Sequence, residues 1–74
     1  MDDISIAFGK RIMGLRQSAG LTQEQLAEKS GIDVSKIKKL EAGEISFGRI
    51  KIYDGMEIAA ALDATVEDIV EGLI

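Results

Sequence analysis

Residues 21–43 decide the fold, and they read LTQEQLAEKSGIDVSKIKKLEAG. Thr22 followed three residues later by Gln25 is the pattern of a capping box, which opens a helix. That helix is predicted to run for about eight residues and to end at Gly31, because glycine readily adopts the left-handed conformation that closes a helix.

A second helix is predicted from Val34 to about Ala42, with Asp33 as its N-cap and Gly43 at its end. Ala27 is small enough to stand where the two helices cross. Three apolar residues are expected to hold the second helix against the first: Ile32, Ile37 and Leu40. The stretch therefore predicts a helix, a tight turn and a second helix.

The flanking sequence also favours helices. Between residues 4 and 19, apolar residues recur at spacings of four, four and three and predict one buried helical stripe: Ile4, Phe8, Ile12 and Leu15. Residues 56–62 predict a further helix, and Thr65 is the expected N-cap of a last one. These elements predict a single all-α domain over residues 1–74.

Residues 44–55 fit two alternatives. The alternation from Ile45 to Tyr53 fits two short strands around Gly48, and it also fits a loop that leads into a helix from about Arg49. We prefer the loop and helix. Gly55 then lies inside the helix, at a cost of about 1 kcal/mol relative to Ala.

The composition excludes several classes of protein. The chain has no Cys and no His, which excludes disulfides, zinc ligation by thiolate or imidazole, and Ser-His-Asp catalysis. We therefore expect neither an enzyme nor a cofactor or metal site. No apolar run approaches the ~20 residues that span a bilayer, and the acidic start is unlike a secretory signal, so we expect a cytoplasmic protein with no membrane partner.

The charge is divided unevenly along the chain. The formal net charge is −4, which for the whole chain argues against a nucleic-acid-binding domain. However, residues 1–53 carry all nine basic residues against seven acidic ones, whereas residues 54–74 carry six acidic residues and no basic one. This division indicates two surfaces with different roles, the alternative being that the acidic half is merely solvated.

Residues 21–32, followed by Ile37, Leu40, Glu41 and Gly43, resemble the phage-repressor, Cro/Xre-like (lambda-repressor-like) family. The similarity extends over about residues 8–70. It implies a compact five-helix domain with a helix-turn-helix at helices 2 and 3, which is usually a homodimer and binds operator DNA. It also implies an ion pair between Arg16 and Glu41. The chain departs from the family at Val34, where Gln, Arg or Ser is common.

The resemblance places the helix from Val34 to Ala42 in the major groove of DNA. The predicted base contacts are those of its exposed face and first turn: Val34, Ser35, Lys38 and Lys39. The predicted phosphate contacts are Gln23, Lys36, Arg49 and Lys51. Taken without the surrounding motif, three lysines within four residues fit an ordinary solvated helix face better than a DNA-binding surface.

The last helix ends in an apolar group that predicts a dimer interface: Ile69, Val70, Leu73 and Ile74. The alternative is that these residues complete the monomer core. A two-fold dimer would place its recognition helices about 34 Å apart, and its operator would be pseudo-palindromic.

The leading hypothesis is a dimeric, sequence-specific DNA-binding transcription regulator, acting as a repressor or autoregulator. Three subclasses stay open: a phage-type repressor, a restriction-modification controller, and an antitoxin paired with a toxin. The alternative is a protein-interaction module that uses the acidic half and the apolar last helix to bind a basic partner protein.

Overall fold

The structure, a computed structural model, describes residues 2–73. In chain order the elements are α1 Asp3–Ser18, α2 Gln23–Ser30, α3 Val34–Glu41, a short 3-10 helix Phe47–Arg49, α4 Ile52–Ala61 and α5 Val66–Val70. Five α helices and no strand within residues 2–73 confirm the all-α prediction. The loop-and-helix alternative for residues 44–55 is correct, although α4 begins three residues later than expected, at Ile52.

Hydrogen bonds at the helix ends define the helix-turn-helix. At the start of α2, the Thr22 hydroxyl accepts the Gln25 N–H at 3.0 Å, and the Gln25 side chain accepts the Thr22 N–H at 2.8 Å. The helix closes at Gly31 with a φ of 73°, in the left-handed region. Asp33 is the N-cap residue of α3, as predicted, but its carboxylate accepts the Ser35 hydroxyl at 3.0 Å and makes no capping hydrogen bond to the backbone of α3.

The core lies at the centre of the helices, where α1 and α2 pack on α3, α2 packs on α4, and α5 closes against α4 and α1. Its fully buried large side chains are Ile12, Leu26, Ile37, Leu40, Ile58 and Ile69. The stripe predicted on α1 is correct at Phe8, Ile12 and Leu15, all of which are in the core or packed against it.

Ile4 departs from the predicted stripe, because its side chain is 40% exposed while the neighbouring Ser5 is buried. The Ser5 hydroxyl accepts the backbone N–H of Phe47 at 2.8 Å, which gives this polar group a partner inside the protein. The ring of Phe47 also packs edge-on against Phe8, with 5.2 Å between ring centroids. The start of α1 is therefore oriented by its contact with the 3-10 helix.

Helices α1 and α3 approach each other closely at Gly9. A Cβ at this position would lie 2.3 Å from the carbonyl oxygen of Leu40 and 2.8 Å from that of Glu41. Both atoms belong to the backbone and cannot move aside as a flexible side chain would. Gly9 therefore allows direct backbone contact between α1 and the end of α3.

Arg11 links α1 to the end of the described chain. Its two terminal guanidinium nitrogens donate to the carbonyl oxygens of Asp68 and Glu71 at 2.9 and 2.8 Å. These carbonyls lie in the last part of α5 and just beyond it, where backbone acceptors lack helical partners. Within residues 2–73, no helix combines the length and apolar character needed to cross a membrane.

Candidate nucleic-acid interface

Helix α3 has one buried and one exposed face. Ile37 and Leu40 are buried in the core. The exposed residues of α3 and its C-cap are Ser35, Lys38, Lys39 and Ala42. Val34 is only partly exposed, because its side chain packs against the core. Three of the four predicted base-contacting residues thus share an open surface, and Val34 stands at its edge.

A buried polar cluster fixes the end of α3 to α1 and α2. The guanidinium of Arg16 donates to both carboxylate oxygens of Glu41, from Nε at 2.7 Å and from Nη2 at 3.0 Å. Arg16 also donates from Nη1 to the carbonyl oxygen of Leu21 at 2.8 Å. The two side chains are only 11% and 1% exposed, and hydrogen bonding to Glu41 raises the pKa of Arg16 above its ordinary value. The ion pair implied by the resemblance is therefore present, with bidentate geometry.

Gln23 completes this cluster. Its side-chain amide donates one N–H to Oε1 of Glu41 at 3.0 Å, which holds the side chain against the cluster. As the first residue of α2, Gln23 still has its backbone N–H at the helix N-terminus, where an anion is favoured. The phosphate contact predicted for Gln23 stays a prediction, and its backbone N–H is a second donor for it.

The remaining predicted phosphate contacts differ in their surroundings. Nζ of Lys36 lies 2.5 Å from Oδ2 of Asp54, so the ammonium forms an ion pair that joins α3 to α4. Arg49 and Lys51 are exposed, and in the described part of the chain neither has an acidic partner. Local sequence did not indicate the pair with Asp54, because the two residues are 18 positions apart and meet only through the packing of α4.

The predicted dimer interface on the last helix requires correction. Ile69 is 1% exposed and belongs to the monomer core, so it is not available to a partner. Val70 and Leu73 are partly buried against that core, and Ile74 lies outside the described residues. The alternative, in which these residues complete the core, is therefore correct for Ile69.

The most exposed large apolar side chains lie on α4 and were missed by sequence reasoning. Ile52, Tyr53 and Met56 are 65%, 73% and 49% exposed, and we call them the α4 patch. Ile52 also borders an apolar hollow of about 130 Å³ between α4, α5 and the 3-10 helix. The spacing of the patch along α4, on the side of the helix away from the buried Ile58, could have revealed it if the helix start had been placed correctly.

Comparison with known proteins agrees with this architecture. A family model described as a helix-turn-helix domain matches residues 7–71. None of the curated proteins matches the chain.

Three solved structures are similar in both fold and sequence. The restriction-modification controller protein C.AhdI from Aeromonas hydrophila is 33% identical, with a TM-score of 0.80 over 86% of this chain and 92% of that one. A chain of the SinR protein/SinI protein complex is 26% identical, with a TM-score of 0.82 over 88% of this chain and 61% of that one. The clp gene regulator ClgR from Corynebacterium glutamicum is 25% identical, with a TM-score of 0.82 over 93% and 70%.

One family assignment follows from these similarities, from the exposed face of α3 and from the buried polar cluster that fixes the end of this helix. The chain belongs to the helix-turn-helix family of phage-repressor-like, Cro/Xre-like DNA-binding transcription regulators.

Proposed function

We propose that this regulator binds a pseudo-palindromic operator as a homodimer, with α3 of each subunit in the major groove. The observation that carries the proposal is the face of α3, where Ser35, Lys38 and Lys39 are exposed while the opposite side of the helix is buried. Because one face of α3 is packed into the core, the helix can present the side chains of its exposed face to base edges in a fixed register.

The side chains on this face suit two kinds of base contact. Lys38 and Lys39 can donate to guanine O6 and N7, and each good contact discriminates by about 1–3 kcal/mol. The exposed part of Val34 can contact a thymine methyl group. Lys51 and Arg49 follow on the approach to α4 and are free to contact phosphates, which set the position of the protein but carry little sequence information.

The interface is tested by binding-site selection from random DNA, followed by affinity measurements on the selected duplex. We expect Lys38→Ala combined with Lys39→Ala to weaken operator binding by at least about tenfold and to reduce the salt dependence. Lys10→Ala is the matched control, because Lys10 is an exposed lysine on α1. Equal effects of the double variant and the control would reject the assignment of this face.

A second copy of the chain is proposed to dock on the α4 patch. Specific interfaces bury roughly 800 Å² per partner, which is a substantial part of the 4566 Å² that the monomer exposes. Large apolar side chains exposed side by side, such as Ile52 and Tyr53, are the usual centre of such an interface.

Sedimentation equilibrium distinguishes this dimer from a monomer. We expect Ile52→Ser with Tyr53→Ser to shift the wild-type dimer to monomer without unfolding it, because both side chains are mostly exposed in the monomer. Ile4→Ser is the control, since Ile4 is an exposed apolar residue on α1. A monomeric wild type, or a dimer unaffected by the double variant, would count against this surface.

Among the three subclasses, the similarities favour a restriction-modification controller. The match to C.AhdI has the highest identity of the three and covers 92% of that protein, whereas the matches to the SinR–SinI and ClgR chains cover 61% and 70% of theirs. A gene for a restriction endonuclease or methyltransferase beside this one would support the subclass, and an adjacent toxin gene would support an antitoxin instead.

The second candidate function is a protein-interaction module, and the exposed α4 patch beside the acidic half is the observation that favours it. A stable complex with a basic partner protein, together with no binding to duplex DNA at low salt, would support this candidate against the first.

A further inference from the structure

The basic residues near the proposed DNA face are not equivalent. Lys38, Lys39, Arg49 and Lys51 are exposed and, among residues 2–73, have no acidic partner. Among the basic residues near this face, Lys36 is the one that forms an ion pair within residues 2–73. Its ammonium contacts the carboxylate of Asp54. The pair contributes no net charge to a surface whose other cations are free.

We propose that Asp54 competes with DNA phosphate for the ammonium of Lys36, and that Asp54 thereby lowers the affinity of the protein for DNA of any sequence. This proposal rests on the proposed function, because it assigns Lys36 to the phosphate-contacting side of the interface. The proposal assigns to Asp54, which lies on α4 and outside the helix-turn-helix, a role that weakens DNA binding.

The exposure of the pair makes such an exchange feasible. The side chain of Lys36 is 37% exposed and that of Asp54 is 19% exposed, so water reaches both charges and screens their attraction. Ion pairs of this kind are worth little. A DNA backbone carries one negative charge per ~1.7 Å of helix axis and is a strong competitor for the lysine.

The position of Asp54 explains why the carboxylate stays in place after an exchange. It lies in the first turn of α4, where the helix dipole favours an acidic side chain independently of Lys36. If Lys36 turns to a phosphate, an unpaired negative charge therefore remains beside the bound DNA. The cost of binding then includes both the broken ion pair and the repulsion that follows.

A double-mutant cycle on a mixed-sequence DNA duplex tests the proposal without knowledge of the operator. The four proteins are the wild type, Asp54→Asn, Lys36→Gln and the double variant, each measured over a range of salt concentrations. We expect Asp54→Asn to tighten binding by up to about fivefold per subunit at low salt. We also expect it to steepen the slope of log K against log salt by up to about 0.9 per subunit, since the freed lysine can neutralise one more phosphate.

The Lys36→Gln background separates competition from general repulsion. If Asp54 acts through Lys36, then Asp54→Asn gains much less affinity when residue 36 is Gln. Glu57→Gln is the matched control, because Glu57 is an exposed acid on the same helix with no cationic partner among residues 2–73. Its effect should be small and equal in both backgrounds.

Three outcomes would overturn the proposal: no gain from Asp54→Asn, the same gain with Lys36 and with Gln at position 36, or weaker binding by Asp54→Asn. The last result would mean that the pair positions α3 for binding. Failure of the wild type to bind any duplex at low salt would instead overturn the proposed function itself, and the two failures are therefore distinguishable.

Discussion

Two junctions hold α3, and they are built in opposite ways. At its C-terminal end, the Arg16–Glu41–Gln23 cluster and the backbone contact at Gly9 join α3 to α1 and α2 with almost no solvent access. Near its N-terminal end, a partly solvated ion pair between Lys36 and Asp54 joins it to α4.

The difference separates stability from binding. A buried charge without its partner is strongly destabilising, so the first junction must stay intact while the protein works. An exposed pair contributes about 0–1 kcal/mol, so the second can open at little cost to the fold. Loss of the first junction should therefore cost the fold much more stability than loss of the second.

Glu41→Ala should have the largest effect on stability. The change leaves the guanidinium of Arg16 largely buried without its carboxylate and removes the acceptor of the Gln23 amide. Loss of one partner of a buried ion pair costs about 3–5 kcal/mol. Urea unfolding followed by circular dichroism measures the change. The exposed Glu44→Ala is the control and should alter stability by less than about 0.5 kcal/mol. A loss below 1 kcal/mol for Glu41→Ala would contradict the role given to the first junction.

Gly9→Ala should destabilise the same junction by about 1–3 kcal/mol, because the added methyl group overlaps backbone oxygens of α3. Gly14→Ala is a control on the same helix. A Cβ at Gly14 meets no atom within 4 Å, so the substitution should stabilise the protein by about 0.5–1 kcal/mol through helix propensity. Thermal unfolding of both variants gives the comparison. A neutral or stabilising effect of Gly9→Ala would show that α1 and α3 are not in close contact at Gly9.

Asp54→Asn should change the free energy of unfolding by less than about 1 kcal/mol, since its pair with Lys36 is partly solvated. Measured under the same urea conditions as Glu41→Ala, the variant gives a direct comparison of the two junctions. A loss comparable to that of Glu41→Ala would remove the distinction between them.

The smallest effect concerns an exposed cap away from both junctions. The Thr65 N–H donates to the carboxylate of Asp68 at 2.9 Å, and this hydrogen bond lowers the pKa of Asp68 below its ordinary 3.8. The stabilisation is therefore complete above pH 3.8 and is lost as the pH falls through the lower pKa of the folded state.

Asp68→Asn tests this dependence. Its difference in stability from the wild type should be constant at neutral pH and should shrink as the pH falls below 3.8. Thermal unfolding between pH 7 and pH 2 measures it. Glu67→Gln, which changes the neighbouring acid without touching the cap, is the control. A difference that is constant over the whole range would contradict the assignment.

The helix-turn-helix was predictable because its boundaries depend on local chemistry. The Thr22–Gln25 capping box and the left-handed Gly31 are each encoded within a few residues. The charged pair of Arg16 and Glu41 came from the resemblance and not from spacing. Asp33 was correctly predicted as the N-cap residue of α3, but its carboxylate accepts the hydroxyl of Ser35 in place of a backbone N–H of the helix.

The features that could not be predicted from the sequence depend on contacts between distant segments of the chain. Ser5 replaces Ile4 in the buried position because the N–H of Phe47, 42 residues away, needs an acceptor. The apolar group around Ile69 predicted an exposed dimer interface. In the structure Ile69 instead lies in the core, where α4 and α5 pack together. The partner of Lys36 is hidden for the same reason, so sequence reasoning predicted the exposed face of α3 but not the ion pair that joins this helix to α4.

The two hydrogen bonds from Arg11 have a consequence for local unfolding. With five residues, α5 is far too short to be a stable helix alone, and two carbonyl oxygens at its end are held by a guanidinium from α1. The order of α5 therefore depends on its contacts with α4 and α1, and the hydrogen bonds from Arg11 are among them. We expect the amide protons of α5 to exchange with solvent sooner than those of α3, through an opening that leaves the helix-turn-helix folded.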